Sequence, residues 1–139
     1  VTSDQSLAGR AALVTGGSRR IGKVLALALA EGGADVAITY RTHAREAQAV
    51  VRSIRALGRR SLAIRADLTR PPDCRRAVGA AARRFGRLDI LVNNVGEWIV
   101  KPVESTRLEE WREVIDSNLT ATYLCSRAAV PWMRKNGWG

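Results

Sequence analysis

Eight consecutive residues, 15–22, read TGGSRRIG and join a short apolar run, Ala11–Val14, to a helical pattern that begins at Ile21. A strand that turns tightly into a helix on glycines leaves backbone N–H groups pointing outward, and the helix N-terminus adds a partial positive charge. Such a turn is suited to an anion, above all a nucleotide phosphate. Gly16 and Gly17 permit the sharp turn and a close ligand approach, while Gly22 lets the helix lie close to the strand. A glycine string alone is weak evidence, so the elements around it decide.

Those elements alternate. Residues 21–31 carry Ile21, Val24, Leu25, Ala28 and Leu29 at helical spacing and stop at Gly32 and Gly33. Residues 36–40 read as a second strand, and residues 44–57 as a second helix with Ala47, Val50, Val51, Ile54 and Leu57 inward, ended by Gly58. A third strand spans residues 61–66 and a third helix residues 72–85, with Ala77, Val78, Ala81 and Phe85 inward. Residues 88–92 form the fourth strand. Thr106 and Glu109 fit a capping box, which starts a helix near Arg107. That helix runs to about Lys135, with a break near Asn118 and a hydrogen bond weakened at Pro131. Strands alternating with helices on short connections imply βαβ units, right-handed crossovers and a parallel sheet covered on both faces.

With 139 residues, 46% of them hydrophobic, the chain has material for one core and is too short for two ordinary domains. The longest apolar run, residues 24–30, falls far short of the roughly 20 residues that cross a bilayer, so no membrane span is expected. No charged-then-apolar leader opens the sequence, which makes the cytoplasm the expected compartment. Cys74 and Cys125 have no CxxC context and read as reduced, ordinary thiols; His43 has no ligand partners at useful spacing, so no metal site is expected and a surface role is assigned to it.

The net charge of +10 raises a polyanion partner. Its distribution argues otherwise. Arg45, Arg52, Arg55, Arg59 and Arg60 surround one helix and Arg75, Arg76, Arg83 and Arg84 the next, with no aromatics interleaved for base stacking. These read as solvated helix faces, and nucleic acid is not expected as a partner.

Four motifs stand in order: TGGSRRIG, ADLT at residues 66–69, LDILVNNVG at residues 88–96 and the asparagine of DSNLTATYL at residues 116–124. In these the chain resembles the short-chain dehydrogenase/reductase family, Rossmann-type oxidoreductases that move hydride between a nicotinamide nucleotide and a carbonyl or alcohol, over nearly its whole length. The resemblance implies an α/β fold, a doubly wound parallel sheet that is incomplete here, with four strands in order 3-2-1-4 and flanking helices. Residues 1–9, small and polar at a chain terminus, are expected to be flexible, and the resemblance implies the N-terminal part of one NADP-binding domain over residues 10–139.

Carried over residue by residue, the resemblance assigns Thr15, Gly16, Ser18, Arg19, Arg20, Ile21 and Gly22 to the cofactor loop. Tyr40 and Arg41 fall at the end of the second strand, Asp67 and Leu68 after the third, and Asn94, Val95 and Gly96 after the fourth. Asp67 matches the acid that bonds the adenine amino group, with a plain turn-capping role before Pro71 as its alternative. Asn118 matches the catalytic asparagine whose backbone carbonyl holds a water linked to the active-site lysine. NAD-specific relatives place an acid at the end of the second strand; here it ends Thr39, Tyr40, Arg41, and Arg19 and Arg41 can reach one pocket, so NADP(H) is the expected cofactor.

Two departures qualify the match. Arg20 stands where the family's second loop glycine is usual, as in the TGxxxRxG of pteridine reductases, which raises a pterin or dihydrofolate as substrate, with Trp98 available to stack on a flat ring. The family's catalytic serine and YxxxK have no counterpart here, and Tyr40 and Tyr123 lie in no such context. The chain is therefore expected to be the cofactor-binding half of a longer enzyme, inactive alone, and to act as a homo-oligomer or with the missing C-terminal half on a small-molecule substrate. A truncated nucleotide-binding module without turnover is the rival reading.

Overall fold

The structure, a computed structural model, describes residues 6–139. Four strands, β1 (Ala11–Val14), β2 (Asp35–Tyr40), β3 (Ser61–Arg65) and β4 (Ile90–Val92), alternate with helices α1 (Arg20–Glu31), α2 (Ala44–Ala56) and α3 (Pro71–Phe85). After β4 come a 3₁₀ turn (Val103–Ser105), α4 (Leu108–Ile115), one π-helical turn (Asp116–Thr120) and α5 (Ala121–Asn136). The strands form one parallel sheet in the order β3-β2-β1-β4, the order expected.

Alternation along β1 divides the core into two layers. Ala11 and Leu13 face α3 and α5, where Cys74, Ala77, Val78, Ala81, Phe85, Cys125 and Ala129 close the packing. Ala12 and Val14 face α1 and α2, against Ala26, Ala30, Val36, Ile38, Ala47, Val50 and Ile54. All four residues of β1 are buried, as a central strand covered on both faces requires.

Helix α1 presents a different face from the one its bulky apolar residues suggest. Gly22, Ala26 and Ala30 are buried, whereas Ile21 is 70% exposed and Val24 65%. The apolar stretch VLALALA satisfies helical spacing in more than one phase. At the start of α1 there is room only for glycine, because a Cβ on Gly22 would strike the Gly16 carbonyl oxygen of the loop after β1. On α2 the expected inner face holds at Ala47, Val50, Val51 and Ile54, while Leu57 falls at the helix end and is exposed.

The capping box sits one residue later than expected. Thr106 Oγ1 donates to the Pro102 carbonyl at 3.0 Å, completing the 3₁₀ turn, and it is Glu110 that accepts the Arg107 N–H at 2.9 Å. Glu110 also takes Lys101 Nζ at 2.9 Å; the backbone bond from Arg107, then Lys101, bring its carboxyl down to about 2. The expected break at Asn118 is the π turn, after which the helix continues through Pro131.

Of the segment expected to be flexible, residues 1–5 lie outside the described residues. Residues 6–9 form a turn in which the Leu7 N–H donates to the Gly32 carbonyl at 2.9 Å, and the Leu7 side chain packs on the α1–α2 layer. At the opposite end of the sheet from the glycine loop, Asp89 is buried and holds three partners. It accepts the Ala11 N–H at 2.9 Å, Arg87 Nη2 at 2.6 Å and Arg10 Nη1 at 3.3 Å. No helix of the described residues is long and apolar enough to cross a membrane.

Candidate functional site

In a sheet ordered 3-2-1-4 the connections leave β1 on opposite sides, and the crevice beyond the strand C-termini at that switch point is where such sheets bind ligands. A cavity of about 330 Å³ lies there. Its wall combines Gly16 and residues 18–22 from the loop after β1 and the start of α1, residues 39–43 at and beyond the end of β2, residues 66–69 after β3, residues 94–97 after β4, and Ser117.

The loop is built for a negatively charged group. Gly16 adopts φ +65°, and the Gly16 and Gly17 N–H groups point back into the fold, onto Thr39 Oγ1 at 3.0 Å and the Thr39 carbonyl at 3.1 Å. The donors left for a ligand are therefore not those of the glycines. Among the described residues, the Ser18 and Arg19 N–H groups have no protein acceptor, and those at the start of α1 have none within the helix. Neither a capping side chain nor an acid in the first turn offsets this positive end, and the Arg19 and Arg20 side chains add to it. Arg20 is held at φ +49°, the one non-glycine residue with positive φ among the described residues.

Thr15 and Asn94 stand behind this wall as its frame. Thr15 Oγ1 accepts the N–H groups of Asn94 and Val95 at 2.8 and 3.1 Å and donates to the Val92 carbonyl at 3.2 Å. Asn94 Nδ2 returns to the Thr15 carbonyl at 2.9 Å. The ends of β1 and β4 are thereby locked together. Thr15 itself is absent from the cavity wall, whereas Asn94, Val95 and Gly96 line it.

The β2 end brings Tyr40 and Arg41 into the wall, and no acid accompanies them on that strand end. On the β3 side, Asp67 Oδ1 accepts both the N–H and the hydroxyl of Thr69, at 3.1 and 2.7 Å, which closes an Asx turn. Asp67 Oδ2 has no partner among the described residues, so the turn role and a ligand contact are compatible. Behind it, Asp73 accepts the Asp67 N–H at 2.8 Å; that bond, then Arg76, holds the Asp73 carboxyl below its usual range.

Asn118 lies outside the wall, one residue from Ser117, which is in it. Its Nδ2 donates to the Glu97 carbonyl at 2.6 Å and the Val114 carbonyl at 2.9 Å, and its own carbonyl accepts the Thr122 hydroxyl at 2.6 Å. Sequence reasoning missed six polar members of the wall: Thr39, Thr42, His43, Thr69, Glu97 and Ser117. His43, assigned to the surface, pairs its Nδ1 with Thr42 Oγ1 at 2.7 Å just before α2. Its place directly after the β2 end was the available signal.

The wall thus offers free N–H donors and three arginines, Arg19, Arg20 and Arg41, against two carboxylates, Asp67 and Glu97. This fits a phosphate-rich ligand that lies across the strand ends.

Known proteins of similar sequence and shape belong to one family. The family model described as short chain dehydrogenase matches residues 10–139. Hydroxynaphthalene reductase arp2 of Aspergillus fumigatus is 46% identical over 131 residues, 94% of this chain and 48% of that protein. The crystal structure of a short chain dehydrogenase from Burkholderia cenocepacia in complex with NADP superposes with a TM-score of 0.89 at 48% identity, over 91% of this chain and 51% of that one. A blue fluorescent protein from a metagenomic library, in complex with NADPH, gives 0.87 at 38% identity, over 90% and 51%. The chain spans about half the length of these relatives.

Proposed function

The chain belongs to the short-chain dehydrogenase family, and from that premise we propose that it holds NADP(H) for the reduction of a carbonyl, or the reverse oxidation of an alcohol, on a small molecule. The observation that carries this reading is the convergence of Arg19 and Arg41 on one cavity whose β2 end has no acid. Ser18 to Gly22 hold the pyrophosphate on the α1 N-terminus, Arg41 with Arg19 takes the 2′-phosphate, and Asp67 accepts from the adenine amino group. Asn94, Val95 and Gly96 form the floor beneath the riboses. The bound nicotinamide supplies the hydride. Asn118, through its backbone carbonyl on the π turn, positions a water for the proton path.

The residues that would orient and protonate the substrate oxygen, a serine and YxxxK, have no match in the chain, so the isolated 139-residue polypeptide binds cofactor without turnover and a complete enzyme draws them from elsewhere. Fluorescence titration tests the reading. NADPH should bind saturably and more tightly than NADH, and Arg41→Ala should weaken NADPH about 10-fold or more, the worth of one charge-assisted arginine–phosphate contact. Equal affinities for NADPH and NADH would remove the basis of the assignment.

Arg20 favours a second reading of the substrate. A long cation kept in the left-handed region, where glycine would be unstrained, suits a flat, electron-rich heterocycle such as a dihydropteridine lying beside the phosphates. Trp98, 82% exposed next to Glu97, adds an aromatic face that serves a pterin or a naphthol equally. Competition by a dihydropteridine for the NADP(H)-loaded chain, lost in Arg20→Gly, would support the pterin; binding unaffected by that change would exclude it.

A further inference from the structure

Arg41 already has an anion beside it. Its Nη2 lies 3.7 Å from Glu97 Oε1, and the two side chains are 53% and 50% exposed. They reach each other from opposite sides of the crevice: Arg41 follows β2, Glu97 follows the segment after β4, and β1 lies between those strands. The ion pair therefore spans the crevice above the end of β1, beside the loop whose donors would take a pyrophosphate.

Glu97 is not a loose side chain on a loose loop. Its N–H donates to Ser117 Oγ at 3.2 Å and its carbonyl accepts Asn118 Nδ2, so the π turn fixes its backbone and leaves the side-chain torsions to move. The other carboxylate in the wall, Asp67, is tied into the Thr69 turn. Among the described residues the Glu97 carboxylate has no hydrogen-bond donor, and Arg41 is the cation it faces.

We propose that Glu97 is a specificity-determining residue whose carboxylate occupies the Arg41 guanidinium until a 2′-phosphate displaces it. The proposal rests on the reading of the cavity as an NADP(H) site. At 3.7 Å the Glu97 carboxylate offsets part of the Arg41 charge without taking up its five N–H donors, and beside a phosphate dianion it adds like-charge repulsion. NADP(H) binding therefore favours a Glu97 side chain swung away from Arg41. A dinucleotide without the 2′-phosphate makes no demand on Arg41, and the ion pair persists as it binds. Glu97 thus lowers the preference that Arg41 creates, and an exposed pair of this kind is worth about twofold to fivefold in an equilibrium.

Titration of the full chain with NADPH and with NADH, followed by cofactor fluorescence, tests this in wild type, Glu97→Gln, Arg41→Ala and the double variant, with thermal melts to establish that each is folded. Glu97→Gln should tighten NADPH by about twofold to fivefold, leave NADH unchanged, and give no gain once Arg41 is alanine. An equal gain for both cofactors, or a gain that survives Arg41→Ala, would show a general charge effect and overturn the proposal. So would a loss of NADPH affinity in Glu97→Gln while Arg41→Ala still weakens it, because Glu97 would then be a cofactor contact. Absence of saturable NADPH binding in wild type, or indifference to Arg41→Ala, would overturn the cofactor reading and the proposal with it.

Discussion

Thr15 and Asn94 clasp each other across the ends of β1 and β4: the Asn94 N–H reaches Thr15 Oγ1 at 2.8 Å, and the Asn94 amide reaches the Thr15 carbonyl at 2.9 Å. The clasp fixes the glycine loop relative to the segment that follows β4, and so the width of the cavity. Thr15→Val keeps the shape and removes the hydroxyl, which strands the N–H groups of Asn94 and Val95 in a part-buried setting. An unmade bond of that kind costs about 1–3 kcal/mol. Urea unfolding should show a loss of about 2–3 kcal/mol for Thr15→Val, with Thr15→Ser close to wild type. Equal stability of all three would mean that the hydroxyl does not hold the two strand ends.

Asp89 makes the far end of the sheet acid-sensitive. Burial works against its charge, but hydrogen bonds from Arg87 and from the Ala11 N–H outweigh it and hold the carboxyl below its usual value. A folded-state pKa lower than the unfolded one contributes stability that is fully present above the unfolded value, near 4, and is lost as pH falls through the folded value. Asp89→Asn should therefore destabilise by about 2–3 kcal/mol at pH 7, where a charged acceptor for two arginines is removed. The gap between variant and wild type should shrink as unfolding is measured down to pH 3. A constant gap across that range would show that the contribution is not one of charge.

The two cysteines are closed to chemistry by their surroundings. Cys74 and Cys125 are both buried between α3 and α5, and Cys74 Sγ donates to the Leu68 carbonyl at 3.2 Å. Burial pushes the Cys125 thiol up to about 12 and raises Cys74 as well. Since the thiolate is the reactive form, a disulfide-exchange reagent at pH 8 should label neither thiol in the native chain and both after unfolding in guanidinium. Rapid labelling of the native chain would mean that α5 separates readily from α3.

The glycine loop and the strands were legible because local spacing carries them, whereas the strand order and the placing of Arg41 and Asp67 at the site came from the family resemblance of the motifs. The Arg41–Glu97 pair came from neither. It joins residues far apart in the chain that only the sheet order brings together, and Glu97 belongs to no periodic pattern. The capping box was misplaced by one residue because Thr106 had a nearer acceptor, the Pro102 carbonyl, which sequence spacing does not disclose. His43 was discounted as a metal ligand and a catalyst, and position alone, not chemistry, puts it in the wall.

Helix α1 is where size misled. Hydrophobic spacing counts apolar residues without weighing how near the partner lies, and at the buried positions of α1 stand only glycine and alanine, with Leu27 and Leu29 packing at the margins. Ala26, fully buried, is thus a more critical residue than Val24, which is 65% exposed. Ala26→Leu forces a large side chain into the α1–sheet contact and should cost about 1–3 kcal/mol or more, with a matching loss of NADPH affinity as the loop shifts. Val24→Gln should stay within about 0.5 kcal/mol of wild type in the isolated chain. Chemical denaturation of the two variants distinguishes the phases. A large cost at Val24 with a small one at Ala26 would restore the bulky face of α1 to the core and displace the glycine loop from the geometry on which the cofactor reading rests.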